Sequence, residues 1–230
     1  MKKLLIIILS IAIFGGCRYK TGSGNLISEK RNTGAFTGIS VGGGFDVEIK
    51  TGPTEVLVEA DDNIIKYIET DVVNGQLKIR LDDVNVNDVH LKIYITAPQI
   101  NNITASASAD VVAKDILKST ELIKVQSSSG SEVKAELDAP EISVNASSGG
   151  ELNLSGRTRN FKAVSSSGST INAGELSSEN ATVDVSSGAS AKVHASLTLN
   201  ATASSGGNIS YRGTPNVKQS VSSGGEVDKE

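Results

Sequence analysis

From residue 103 onward one short phrase recurs, and a repeat this short limits the possible folds before any other feature is weighed. The copies read ITASASADVVAKDI, VQSSSGSEVKAEL, VNASSGGELNLSG, AVSSSGSTINAGEL, VDVSSGASAKVHA, ATASSGGNISYRG and SVSSGGEVDKE. Their shared Ser-Ser-Gly ends on Gly130, Gly149, Gly168, Gly188, Gly206 and Gly224, at steps of 19, 19, 20, 18 and 18 residues. Ala109 takes the glycine's place in a degenerate first copy, 21 residues before Gly130.

Three residues after the glycine stand Val133, Leu152, Ile171, Ala191, Ile209 and Val227, with Val112 in the first copy. Five after it come Ala135, Leu154, Ala173, Val193 and Tyr211, and five before it Val125, Val144, Ala163, Val183 and Ala201. Polar residues fill the places between, so the period within a copy is two and each copy reads as half-buried strand. A unit this short cannot bury its own apolar face, but stacking copies at the β spacing aligns equivalent residues into ladders. The expected body is a parallel β-helix of about seven coils of 18–21 residues, a rod roughly 30 to 35 Å long. Ser-Ser-Gly is then a corner, where Gly supplies backbone angles that other residues resist and stacked serines bond along the rod. A flexible linker would not carry phased Val and Ile on both sides, and a phosphate loop would have to open a helix.

The opposite end has a different character. MKKLLIIILSIAIFGGCRYK carries Lys2 and Lys3, an apolar run from Leu4 to Phe14, then Gly15, Gly16 and Cys17. The run is short of the ~20 residues that span a bilayer, so residues 1–16 read as a secretory signal. Cys17 is the only cysteine, so an internal disulfide is excluded; directly after two small residues it is the expected lipid attachment site. Several acyl chains on one cysteine anchor stably where one would be marginal. Removing Lys2 and Lys3 takes the net charge from −4 to −6. Such mild acidity, spread along the chain, argues against nucleic acid, whose binding needs a basic stripe. Arg18 after the cysteine, where Asp would signal inner-membrane retention, favours an outer-membrane destination by its likeness to known sorting behaviour.

Residues 18–34 are polar and aperiodic and are expected to tether the lipid to the body. Residues 35–102 turn strand-like in FTGISV, FDVEIKT, TEVLVEA, IETDVV, QLKIRL and HLKIYITA, and Asn74-Gly75 marks a two-residue hairpin. Asp61, Asp62 and Asn63 ahead of Ile64, Ile65 and Ile68 suggest the cap of one short helix in preference to a calcium loop. The acidic and amide-rich stretch from Asp82 to Asp88 is expected to be a solvated hairpin tip, with cation binding as the open alternative.

Chemistry-bearing residues are sparse. Glu132, Glu151 and Glu226 fall two after a corner glycine and, with Thr170, Ser190 and Asn208 between them, form an outward row that is the candidate interaction face. Asp110 stands one after Ala109. His90 and His194 are far apart and have no Ser or Cys partner at a telling spacing, which argues against His-assisted nucleophilic catalysis. Arg157, Arg159, Lys162 and Lys192 are candidates for a basic patch on neighbouring coils. There is no Trp, and Phe161 and Tyr211 take inward phase, which leaves few aromatic platforms for sugars. No catalytic residue, cofactor or metal site is expected. The alternative is a carbohydrate-active or glycan-binding β-helix, which would need two carboxylates about 5 to 9.5 Å apart flanking a groove.

GGGFDVEIKTGPTEVLVEADDNIIKYIETDVVNGQLKIRL, followed by the Ser-Ser-Gly coils with TINAGEL among them, resembles the bacterial putative auto-transporter adhesin family built on the head GIN domain. The resemblance runs from about Phe36 to about Val227 and so covers nearly all of the chain after the signal. It implies a right-handed parallel β-helix-like fold at the cell envelope, often behind a lipoprotein signal, with no catalytic residues to carry over. Residues 35–230 then read as one continuous domain, with a β-rich part to 102 and the repeats from 103. The expected protein is a non-enzymatic envelope lipoprotein that is adhesive or structural, with the membrane and an unidentified protein or glycan as partners. The last copy stops short at Asp228, Lys229 and Glu230, so self-association through that rod end is a further expectation.

Overall fold

Each Ser-Ser-Gly makes the same turn. In the computed structural model, which describes residues 19–82 and 84–230, the second serine and the glycine both take positive φ, as at Ser129 (53°) and Gly130 (72°) or Ser167 (53°) and Gly168 (68°). The residue after the glycine donates to the carbonyl of the first serine, as Gly150 N does to Ser147 O at 2.9 Å. Two successive left-handed residues inside an i to i+3 bond make a type I′ turn. The glycine N–H stays free of that turn and donates to the next coil, Gly130 N to Ser148 O at 3.2 Å and Gly168 N to Ser187 O at 3.1 Å. The corner therefore continues the ladder between coils. The serine shares the left-handed conformation that sequence reasoning assigned to glycine alone, at a cost of about 1 kcal/mol each.

Two corners depart from the expected phrase. The degenerate first corner is formed by Ala107 (φ 49°) and Ser108 (φ 62°), with Ser108 N donating to Ser129 O at 3.1 Å. Ser108, and not Ala109, therefore holds the glycine's place. The inward residue of that copy becomes Val111, buried and paired with Val133, while Val112 pairs with Lys134 and faces out. An earlier corner lies at Gly43 (φ 99°) and Gly44 (φ 73°), where Gly44 N donates to Ala107 O at 2.9 Å. Phe45, fully buried, follows it at the place held elsewhere only by Ala109, Ser131, Gly150, Ser169, Ala189, Gly207 and Gly225.

The first coil is thus β3 (Gly38–Gly42) and β4 (Asp46–Thr51). The strands that precede it are β1 (Tyr19–Thr21) and β2 (Leu26–Arg31). After β4 the chain doubles back through β5 (Glu55–Asp61), the hairpin of β6 (Ile68–Val73) and β7 (Gln76–Leu81), then β8 (Asn85–Asn87) and β9 (Leu91–Ala97). Asn74 and Gly75 both take positive φ at the hairpin, as the Asn-Gly signal requires. β7 and β9 lie parallel on the outer edges of β3 and β4, and β5 and β2 continue antiparallel beyond β9, which gives the solenoid a capped end.

The chain then crosses to the other side of the first coil. β10 (Asn102–Ser106) and β11 (Asp110–Ala113) pair with β3 and β4, and the rod grows through β12 (Leu117–Lys118), β13 (Leu122–Ser128), β14 (Glu132–Ser147), β15 (Glu151–Ser165), β16 (Thr170–Val185) and β17 (Ser190–Ala203). β18 (Asn208–Arg212), β19 (Asn216–Val221) and β20 (Glu226–Lys229) complete it.

A coil is two extended arms joined by the corner and by a bend. In β14 burial alternates strictly to Ala139, slips by one residue at the exposed Pro140 and Glu141, and alternates again from Ile142. The inward ladder of the first arm runs Val47, Val111, Val133, Leu152, Ile171, Ala191 and Ile209, and that of the second runs Ile39, Ile103, Val125, Val144, Ala163, Val183 and Ala201. None of these side chains is more than 2% exposed. Each large one contributes about 1.5–3 kcal/mol by burial. The smaller ones let the arms approach. At the bend Gly156 (φ 113°) pairs with Leu137, and an added Cβ would lie 2.1 Å from the Leu137 carbonyl oxygen, so the close approach requires glycine there.

Two local expectations change. The segment expected as a tether forms β1 and β2 from Tyr19 onward, β1 parallel to β8 and β2 antiparallel to β5. The expected helix shrinks to one 3₁₀ turn, Ile65–Tyr67, with Ile64 at its start and no side-chain cap. Asp61 instead ends β5, buried, and accepts backbone hydrogen bonds from Gly24 at 2.7 Å and His90 at 2.8 Å. The carboxylate was free to leave the helix because the fold offered it two N–H donors from distant segments.

Candidate functional site

The two-after-glycine places become one straight row. Glu132, Glu151, Thr170, Ser190, Asn208 and Glu226 stand opposite one another in parallel register on successive coils. The corrected phase of the first copies lengthens the row, since Asp46 pairs with Asp110 and Asp110 with Glu132. Four carboxylates in succession therefore mark its end nearest the cap, and its middle is hydroxyl-bearing. Sequence reasoning missed this because Ala109 was given the glycine's place.

A second outward row runs beside it through Lys134, Asn153, Asn172, Lys192 and Ser210. Asn153 Nδ2 donates to Glu132 Oε1 at 2.7 Å and to Glu151 Oε1 at 2.8 Å, and Asn172 Nδ2 donates to Asn153 Oδ1 at 2.9 Å. Lys134 Nζ lies 2.7 Å from Glu132 Oε1. Glu132 and Glu151 are thus close to each other, and one oxygen of each, Oε1, accepts from the Asn153 amide between them. Asp110 has no such partner. Loss of water around its carboxyl, reinforced by the negative charges of Glu132 and Asp46, pushes its pKa above the ordinary value.

The bend edge carries a shallow groove of about 550 Å³ lined by Asp138, Pro140, Arg157, Arg159, Ser177, Glu179 and His194 among others. Arg157 is forked onto Asp138 at 3.1 and 2.8 Å, which holds the Asp138 carboxyl below its usual range. Of the basic residues expected to cluster, Arg157 and Arg159 line this groove together and Lys162 and Lys192 do not join them. Lys162 pairs with Ser143 and Thr182 on the second arm, and Lys192 sits on the first arm with Glu230 at 2.7 Å. His90 Nε2 lies 2.8 Å from Glu59 Oε1, and the backbone carbonyl of His194 accepts from Ser178 Oγ at 2.6 Å. Phe161 is buried in the second arm and Tyr211 is half-buried against the core.

In the stretch from Asp82 to Asp88, Asn85, Val86 and Asn87 are the β8 partners of Tyr19, Lys20 and Thr21. Among the described residues no group of three or more His, Cys, Asp or Glu side chains is placed to hold a metal ion. Cys17 and the expected signal lie outside the described residues.

Solved structures share this arrangement. A putative adhesin from Bacteroides fragilis superposes with a TM-score of 0.83 at 21% identity, covering 92% of this chain and 100% of that one. A putative adhesin from Parabacteroides merdae gives 0.74 at 19%, over 92% and 99%. A putative lipid binding protein from Parabacteroides distasonis gives 0.74 at 20%, over 93% and 100%. At such identities the likeness is one of fold. No curated protein matches the sequence. Residues 35–215 match the family described as putative auto-transporter adhesin, head GIN domain, and this match takes in every coil from β3 to β18. The chain belongs to that family.

Proposed function

We propose that the chain is a non-enzymatic lipoprotein of the cell envelope, exported by residues 1–16, lipidated at Cys17 and held at the outer membrane, whose solenoid is an adhesive module for a protein or glycan. The observation that carries the reading is the outward row from Asp46 to Glu226, a rigid polar ladder with its side chains in fixed register. A repeating ligand with matching spacing can be met at several coils at once, so weak contacts add. Family membership supports an adhesive role at the envelope.

The test is binding of residues 18–230 to arrays of glycans and matrix proteins, with released sugars measured in the same wells. Saturable binding that E132Q/E151Q weakens at unchanged melting temperature is the expected result. Sugar release would replace this reading with the carbohydrate-active one. The proposal includes self-association through the other rod end, where β19 pairs with β17, β20 pairs with β18 and Val221 is exposed. Light scattering across a concentration series reads it directly.

A further inference from the structure

The chain is clamped from its first described residue. Tyr19, Lys20 and Thr21 pair with Asn85, Val86 and Asn87, and Gly22 N donates to Asp88 O at 3.2 Å. Asn63 Nδ2 donates to Thr21 O at 2.9 Å, and Ser23 Oγ to Asp62 Oδ1 at 2.6 Å. The buried Asp61 receives Gly24 N, and an added Cβ on Gly22 would lie 2.5 Å from its carboxylate. Cys17 precedes Tyr19 by two residues, a covalent reach of about 7 Å at most. A lipid on that cysteine would hold β1 against the headgroup layer, with no tether to let the body swing clear.

The side chains gathered there suit that position. Tyr19 is 62% exposed, and Leu26 (48%) and Ile27 (37%) follow within nine positions along the chain, three of the seven large apolar residues exposed among the described residues. Lys20 Nζ bonds Tyr67 Oη at 2.8 Å and lies 4.7 Å from its ring centre, and Lys66 Nζ lies 5.3 Å from it on the same residue. Tyr with Lys is the pairing that occupies the membrane–water boundary, the ring at headgroup depth and the ammonium on phosphate. Among the described residues, Asp62, exposed and bonded to Ser23, Asp82, whose N–H meets the Tyr67 carbonyl at 2.8 Å, and Asp88 are acids at the margin.

We propose that Tyr19, Lys20, Lys66 and Tyr67 form a phospholipid-contact patch that seats the capped end of the solenoid directly on the membrane. This rests on the lipidation of Cys17 proposed above. The eleven strands of the first-arm sheet, from β2 to β20, then carry the outward row away from the bilayer over about 48 Å.

The sole cysteine and the absence of Trp make the test direct. Residues 17–230 are coupled through Cys17 to maleimide-phospholipid in phosphatidylglycerol-containing vesicles that carry a headgroup nitroxide, and tyrosine emission is read. In Y94F/Y211F only Tyr19 and Tyr67 emit from the body, and in Y19F/Y67F/Y94F only Tyr211 does, far along the rod. The expected result is about twofold quenching of the first and none of the second, with less quenching in K20S/K66S. Equal quenching of both backgrounds, or quenching of neither, overturns the proposal. Because coupling supplies the anchor chemically, the lipoprotein reading fails separately, by an unmodified Cys17 in the mass of the chain recovered from bacterial membranes.

Discussion

Two alanine substitutions separate backbone strain from collision. At Gly168 (φ 68°) an added Cβ meets no atom within 4 Å, so Gly168→Ala introduces only the left-handed conformation, about 1 kcal/mol. Ser108 already sits at the equivalent place with φ 62°, which shows that the corner accepts a side chain. At Gly156 the Cβ would fall 2.1 Å from the oxygen and 2.9 Å from the nitrogen of Leu137, with φ at 113°, outside the left-handed well. Both contacts are backbone, so two coils must part, and Gly156→Ala is expected to cost about 3 kcal/mol or more. The assay is urea unfolding of residues 18–230 at constant m. With m near ~2 kcal/mol/M, the midpoint falls by about 0.5 M for Gly168→Ala and about 1.5 M for Gly156→Ala. Equal shifts, or a larger one at Gly168, would refute the account of why each glycine is there.

Asp61→Asn removes a charged acceptor from two backbone N–H groups and is expected to cost about 1.5–3 kcal/mol, with faster amide exchange at residues 22–25. The His90 N–H first, then that of Gly24, holds the Asp61 carboxyl below 3.8 in the folded chain. The stabilisation is therefore present above 3.8 and lost as pH falls through the lower folded value, and acid titration of wild type against Asp61→Asn should converge there. Asp110 has the opposite sign. Its folded pKa is raised above 3.8, so ionisation disfavours the fold as pH rises, and Asp110→Asn should melt higher than wild type at pH 7 and lose that advantage below 3.8. Leu152→Ala opens a cavity at a fully buried ladder position, and its cost should be about 2–5 kcal/mol by urea unfolding.

The coil, its period and most of its inward residues were legible from sequence because they depend on interactions within one repeat. Alternation fixes which side chain turns inward, and Ser-Ser-Gly fixes where the chain turns, so Val133, Leu152, Ile171 and Ile209 could be aligned without coordinates. The outward row followed from the same count. The failures came where the deciding partner is far along the chain. Gly43 and Gly44 form a corner with no Ser-Ser-Gly phrase, and the corner that bonds to it, at Ala107, comes only after the chain has folded back through the cap. The first repeat slips by one residue because Ser108 accepts a conformation usually left to glycine, which no pattern of apolar residues announces. Asp61 reads as a helix cap until its donors, 37 and 29 residues away, are seen. Residues 19–31 lack any periodicity of their own and become strands because β8 and β5 present open edges to them. Local rules therefore determined the repeat and its faces. Tertiary structure decided the cap, the phase of the first coils and the clamp at Tyr19, since backbone hydrogen bonds to a distant edge leave no mark on the residues that make them.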